Sequence, residues 1–316
     1  MVVFLNGRFF AQDAAVVSVF DRGFLYGDGL FETLLVARGQ PFLWDAHLER
    51  FARGADMLKL RPPLTSVEMR RAADRLIQLN ALLSAVLRIT LTRGPGPRGY
   101  SPTGADNPTL AMTLHPAPRL NAKQPARVRL ITSTYRVAAD DPLANVKTCN
   151  KLPHILARAE ADAARADDAL LLNTRGHLAE ASASNLIWIS GDVLLTPPGG
   201  AGALMGITRG AVVELARKLG LATRQANEKP AVLRRASGVF LTNSIHGITE
   251  VVELDGKALR RSAVVARLQR SYESLFLAEG ASKQCDEMSL RGRTARAASR
   301  RAAQSGAQAP SARDKK

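Results

Sequence analysis

The stretch VKTCNKLPHILARAEADAARADDALLLNTRGHLAEASASNLIWI, residues 146–189, decides the fold class. A polar junction carrying Lys147 leads into a helix expected over Leu152–Ala166. Strands are expected over Asp168–Leu172 and Asn185–Ile189, with Arg175-Gly176 turning the chain between them, and a further strand over Val193–Leu195. A helix feeding several strands is an α/β pattern. It continues downstream. A helix over Thr208–Leu219 ends at Gly220, where a glycine suits the end of a helix. Strands follow over Val239–Thr242 and Thr249–Leu254, with Asp255-Gly256 as a hairpin turn, and Ala263–Leu277 is the last helix.

Upstream the pattern changes. Residues 2–10 read as a strand and a turn. Residues 14–20 and 30–36 are short apolar, β-branched segments separated by the glycine-rich FLYGDG. Arg38-Gly39-Gln40 reads as a hairpin turn, with a return strand over Pro41–Trp44. Helices are expected over Ala46–Leu58 and Val67–Leu83, the second preceded by Pro62-Pro63 and capped by Thr65 or Ser66. Strands over Val86–Thr92 and Thr109–Leu114 flank the loop RGPGPRGYSPTGADNP. This half is α+β, and residues 117–126, polar with two prolines, read as a connection. The expected organisation is a smaller α+β domain over 1–117, a larger α/β domain over 127–280 and a basic tail over 281–316.

With 316 residues, 46% hydrophobic and 23% charged, the chain is neither wholly disordered, collagen-like nor a disulfide scaffold. No run approaches the ~18 apolar residues of a membrane span. Asn6, Gly7 and Arg8 interrupt the N-terminus where a signal peptide needs an apolar core. The two cysteines, Cys149 and Cys285, suggest no disulfide framework, and a cytoplasmic location is expected. Of the net charge of +16, the last 36 residues carry +6. They hold no Phe, Tyr or Trp on which a base could stack, so a solvated extension is the preferred reading over a nucleic-acid arm. A basic body also steers anionic substrates.

The five histidines fall at no ligand spacing, and no metal is expected. Nucleophile-elbow, Walker and Rossmann patterns are absent. Four features remain, each with an ordinary alternative. Gly206-Ile207-Thr208 opens a helix, which makes either an anion site or a plain Thr-capped start. Lys147 in NVKTCN is either functional or a surface lysine. Glu180, among small Ala and Ser residues, either faces something flat or faces water. His47-Leu48-Glu49-Arg50 is either a site or a polar helix face with a local ion pair.

In order and spacing these stretches resemble the class IV aminotransferases, the fold-type IV pyridoxal-phosphate enzymes. That family includes branched-chain and D-amino-acid aminotransferases and aminodeoxychorismate lyase. The resemblance is carried by FDRGFLYGDGLFETL (20–34), HLERF (47–51), RGPGPRGY (93–100), VKTCNKLPHILARAEA (146–161), DDALLLNTRGHLAEASASNLIWI (167–189), LLTPP (194–198), LMGITR (204–209) and VFLTNSIHGITEV (239–251). It covers residues 1 to about 278, and the tail has no counterpart.

The resemblance implies a D-amino-acid-aminotransferase-like α/β fold, with pyridoxal 5′-phosphate between two domains. It makes Lys147 the lysine that holds the cofactor covalently and then moves the proton at the substrate Cα. Lys151, the nearby rival, stands where a large aromatic residue is common. Glu180 becomes the partner of the pyridine nitrogen. Arg50, Ile207, Thr208 and Ser244 become phosphate ligands, and Leu204 packs on the ring. Arg98 and Tyr100, with Tyr26 and Asn243, are implied in substrate binding. The implied substrates are an amino acid, branched-chain or D, and a 2-oxo acid. The second reading is 4-amino-4-deoxychorismate lyase. Gly29 to Thr33, Ser182 to Asn185, RGPGPRGY and LTNS lean towards that branch or the D-amino-acid one, and VKTCN towards the transaminases. A homodimer is implied, with Tyr26 and Arg98 near its border.

Overall fold

The computed structural model describes residues 1–118 and 126–278. Its N-terminal part is a six-stranded antiparallel sheet in the order β2-β1-β6-β5-β3-β4. The strands are β1 (Val2–Leu5), β2 (Arg8–Ala11), β3 (Gly29–Ala37), β4 (Gln40–Pro41), β5 (Ala85–Thr92) and β6 (Thr109–Pro116). One face is covered by α2 (Trp44–Met57) and α3 (Ser66–Asn80). Alternation along β3 explains why: Leu30, Leu34 and Val36 lie in a core with Leu48, Phe51 and Ala55 of α2 and Leu76 of α3. Phe31 and Thr33, of opposite parity, line a cavity instead. Thr65 caps α3 in a capping box with Glu68.

The second sheet runs β12-β11-β10-β13-β14-β7-β8-β9, with β15 (Lys257–Ala258) on β14. Its strands are β7 (Arg127–Val137), β8 (Asp168–Asn173), β9 (Leu178–Ala181), β10 (Asn185–Ser190), β11 (Val193–Thr196), β12 (Ala222–Gln225), β13 (Gly238–Asn243) and β14 (Gly247–Leu254). β9 also pairs with β10 through Glu180 and Asn185, so six of these strands close into a ring. The run NLIWI is continuously apolar because both of its faces are buried. Leu186 and Trp188 face the interior of the ring, and Ile187 and Ile189 face a second core with Val212 of α5 (Ile207–Lys218) and Leu268 of the closing helix, α6 (263–278). α4 (Leu152–Ala163) lies on β7 and β8, and its fully buried Ala157 and Ala161 let it approach Ala169 and Leu171 closely.

Several expectations need correction. Residues 14–20 form no strand; Val16, Val17, Val19 and Phe20 are exposed, because β-branched residues make a strand only where a partner edge is available. FLYGDG is not simply a loop. Asp21 caps a short helix α1 (Arg22–Tyr26) that Gly27 ends at φ 68°. The return strand stops at Pro41, and Trp44 already begins α2. The strands β9 and β12 form where the sequence pattern predicts none. Most of the 117–126 connection, and the whole 281–316 tail, lie outside the described residues. No described helix is long and apolar enough to cross a membrane.

The segment that leads from the 3-10 turn over Pro142–Asn145 to α4 is bound to β3 by its backbone. Phe31 N–H donates to the Lys147 carbonyl at 2.9 Å, and Cys149 N–H donates to the Gly29 carbonyl at 2.9 Å. This pairing carries the 146–149 segment along the edge of β3 and fixes where Lys147 stands.

Candidate active site

A cavity of about 630 Å³ opens between the sheets. Phe31 and Thr33 of β3 and Arg50 of α2 form one wall, and Lys147, Lys151 and His154 a second. Glu180 and the 181–185 turn, Leu204 with the start of α5, and the 242–246 turn complete it. Lys147, Glu180, Arg50, Leu204, Ile207, Thr208, Asn243 and Ser244, scattered over almost 200 residues of sequence, therefore meet at one place.

Lys147 is half-buried, with Nζ 4.7 Å from the centre of the Phe31 ring. Burial, assisted by the positive charge of Arg50 and opposed by Glu32, pushes its amine down to about 8. Lys151, at the start of α4, is also lowered, chiefly by burial. The surface-lysine alternative for Lys147 does not hold.

Glu180 is not a solvent-facing acid but a buried residue of β9. Its Oε2 accepts from Leu204 N–H at 3.0 Å and from the Asn185 amide at 3.4 Å; its Oε1 pairs with His154 Nε2 at 2.9 Å. The carboxylate can only accept, so His154 donates from Nε2. His154 Nδ1, like the Thr242 hydroxyl, is buried without a hydrogen-bond partner, and both residues line the cavity.

Arg50 is not in a local ion pair either; the exposed Glu49 pairs with Arg53. Arg50 and His47 converge on Glu32, a fully buried carboxylate of β3. Arg50 Nε donates to Oε1 and Nη2 to Oε2, and His47 Nδ1 meets Oε2, all at 2.7 Å. Burial pushes the Glu32 carboxyl up, but these bonds outweigh it and hold it at about 2. Burial pushes His47 down, against the pull of Glu32. Sequence reading missed Glu32, although a signal existed: it is an acid on the face of β3 otherwise occupied by Leu30, Leu34 and Val36.

α5 begins without a side-chain cap. Gly206, not Thr208, is its N-cap residue, and Thr208 is buried at the second helical position, 3.5 Å from the Tyr272 hydroxyl. A side chain at 206 would place Cβ 1.9 Å from Asn185 Oδ1, so the close approach requires glycine. The uncapped N–H groups and the nearby Arg50, whose Nη1 is 3.3 Å from the Met205 carbonyl, suit an anion. Asn243 lines the cavity, but its polar atoms are engaged in holding the turn. Oδ1 accepts from Ile245 and His246 N–H, and the amide donates to Ser184.

Arg98, Tyr100 and Tyr26 are not among the residues lining this cavity. Tyr26, the last residue of α1, meets the loop that carries Arg98 and Tyr100. Tyr26 packs edge-on against Tyr100 at 5.7 Å, and its hydroxyl accepts from Gly99 N–H. The buried Arg22 lies over Tyr26 and donates to the carbonyls of Gly99 and Tyr100. Arg98 and Tyr100 themselves are exposed. Among the described residues no cluster could hold a metal ion.

The family model "Amino-transferase class IV" matches residues 29–254. A protein of Methanocaldococcus jannaschii assigned as a branched-chain-amino-acid aminotransferase is 34% identical over 84% of this chain and 91% of its own length. The aminodeoxychorismate lyase of Vibrio harveyi is 31% identical over 80% and 93%. The branched-chain aminotransferase of the thermophilic archaeon Thermoproteus uzoniensis, solved with norvaline, is 27% identical and superposes with a TM-score of 0.82, over 90% of this chain and 96% of that one. With the match spanning both sheets and every wall of the cavity, the chain belongs to the class IV aminotransferases.

Proposed function

We propose that the cavity holds pyridoxal 5′-phosphate and that the chain moves an amino group between an amino acid, branched-chain or D, and a 2-oxo acid. The observation that carries this reading is the convergence of Lys147, Glu180, Arg50 and the uncapped start of α5 on one cavity. The donor set fits the cofactor. A depressed amine suits a carbonyl carbon, a buried carboxylate a ring nitrogen that carries a proton, and an arginine beside free N–H groups a phosphate. When bound, the cofactor supplies an electron sink for the pair left on the substrate Cα.

The chain's own residues divide the rest. Lys147 anchors the cofactor and, once a substrate amine has taken its place, moves the proton at Cα. Glu180, fixed by Leu204, Asn185 and His154, holds negative charge at the ring nitrogen. Arg50, Ile207, Thr208 and Ser244 bind the phosphate, and Leu204 lies on the ring face. Asn243 shapes the substrate side through its turn. We read residues 1–117 and 127–280 as two domains with the site between them, in a cytoplasmic homodimer. Val16, Val19, Phe20 and Phe24 are exposed on either side of Asp21, which bridges to Pro95 at the start of the loop carrying Arg98 and Tyr100, and a second subunit covering them explains that exposure. On this reading Arg98, Tyr100 and Tyr26 serve the neighbouring cavity.

An amine lowered to about 8 has a pH signature. Below that value it is protonated and cannot attack a carbonyl. The rate at which apoprotein captures pyridoxal phosphate should fall about tenfold per pH unit below 8 and level off above it, rather than rise to the ordinary lysine value near 10.4. Stopped-flow absorbance checks this; a rate still climbing steadily between pH 9 and 10 would contradict it.

The Vibrio relative favours a second reading, release of pyruvate and 4-aminobenzoate from 4-amino-4-deoxychorismate. An amino-donor screen with pyruvate and 2-oxoglutarate as acceptors, run beside a 4-aminobenzoate release assay, separates the two. If Arg98 pairs with a substrate carboxylate, Arg98→Lys should slow the accepted reaction by about 10- to 150-fold, the cost of a lost charged hydrogen bond. Unchanged kinetics on every accepted substrate would remove Arg98 from the site.

A further inference from the structure

We propose that Glu32 is a positioning residue, which orients Arg50 so that the site selects ligands carrying a phosphate. The inference rests on the reading of the cavity as a pyridoxal-phosphate site and assigns a role to a residue outside its lining. Glu32 stands on the core face of β3 among apolar residues, fully buried. A buried ion pair is a poor source of stability, because desolvating both charges offsets their attraction. Fold stability alone therefore gives little reason for a carboxylate here.

Orientation gives one. The guanidinium is a planar fork, and two bonds along its Nε–Nη2 edge fix both its plane and its direction. His47 holds Oε2 from the other side, so the carboxylate cannot rotate away without losing a bond. Nη1 is then left beside Met205, the residue before the α5 N-cap, with only a long 3.3 Å contact to its carbonyl. Glu32 thereby aims the free edge of Arg50 at the uncapped N–H groups of α5. It also keeps that edge from swinging towards Lys147, whose amine the Arg50 charge already depresses.

The test compares the affinity of apoprotein for pyridoxal 5′-phosphate with that for pyridoxal, which lacks only the phosphate. Glu32→Gln keeps the shape and removes the charge and one acceptor. It should weaken pyridoxal 5′-phosphate about 10- to 150-fold, the range for a charge-assisted hydrogen bond, and pyridoxal less than about threefold. Glu32→Asp, which keeps the charge, should fall between wild type and Glu32→Gln, and it carries the test if the Gln variant does not fold. Equal weakening for both ligands, or no weakening in either variant, would overturn the proposal. Arg50→Lys tests the underlying reading separately. If that variant keeps the full preference for the phosphorylated ligand, Arg50 is no phosphate ligand, whatever Glu32 does. If only the Glu32 variants keep it, the cofactor reading stands and the Glu32 proposal fails.

Discussion

Replacing Lys147 by Ala should reduce turnover by about 10⁴-fold or more and abolish covalent attachment of pyridoxal phosphate, whereas Lys151→Ala should change turnover less than about tenfold. General acid–base catalysis alone is worth about 10²- to 10⁴-fold, and a covalent role adds to it. The choice between the two lysines does not come from proton affinity, since burial lowers both amines. It comes from the backbone. Lys147 is bound to β3 by the Phe31 N–H, with Cys149 N–H on Gly29 continuing the pairing, and its amine lies over Phe31 between the fields of Arg50 and Glu180. Lys151 begins α4, with no such tie to β3. Borohydride reduction of the cofactor-loaded protein followed by peptide mapping decides the matter. A tag on Lys151, or a Lys147→Ala protein that still turns over at a tenth of the normal rate, would refute the assignment.

What the sequence reveals about this fold depends on how many faces of each element are buried. The segment NLIWI is legible because neither face meets water, and helix α3 because its capping box and the preceding prolines mark its start. The strand β9 is not legible. LAEA has no alternation and no β-branched residue, and it is extended only because β8 and β10 supply partners on both sides. Residues 14–20 fail in the opposite sense, with strand-like composition and no edge to join.

The site divides along the same line. Lys147, Glu180 and the start of α5 could be singled out because they interrupt regular elements at junctions. Arg50 was visible, but its partner was not. HLER suggests a pair within α2, whereas the true acceptor lies 18 residues upstream on a strand, brought within reach only by packing of α2 on β3. The bond between His154 and Glu180 likewise joins a helix to a strand, and no local spacing encodes it.

That bond bears on the second large effect. Glu180→Gln should lower turnover by roughly a hundred- to several-thousand-fold while the cofactor stays attached. The substitution keeps the size of the side chain. It removes the charge, and the amide can present only one oxygen where the carboxylate presents two. At present Oε2 takes Leu204 N–H and Asn185, and Oε1 takes His154, which leaves acceptor capacity for a ring N–H. In the variant, the amide nitrogen either opposes the Leu204 and Asn185 donors or faces His154, which then accepts at Nε2 only by moving its proton to the unpartnered Nδ1; in both arrangements the negative charge opposite a ring N–H is gone. Removing one partner of a buried charged pair costs about 3–5 kcal/mol, and each 1.4 kcal/mol is about a factor of ten. Attachment persists because Lys147 and Arg50 are untouched, so the loss should fall on the rate constant for proton removal at Cα in single-turnover measurements rather than on cofactor affinity. Glu180→Asp, which retains the charge, should recover part of the rate. A Gln variant with a normal single-turnover rate would show that the carboxylate serves only to hold β9 against α4.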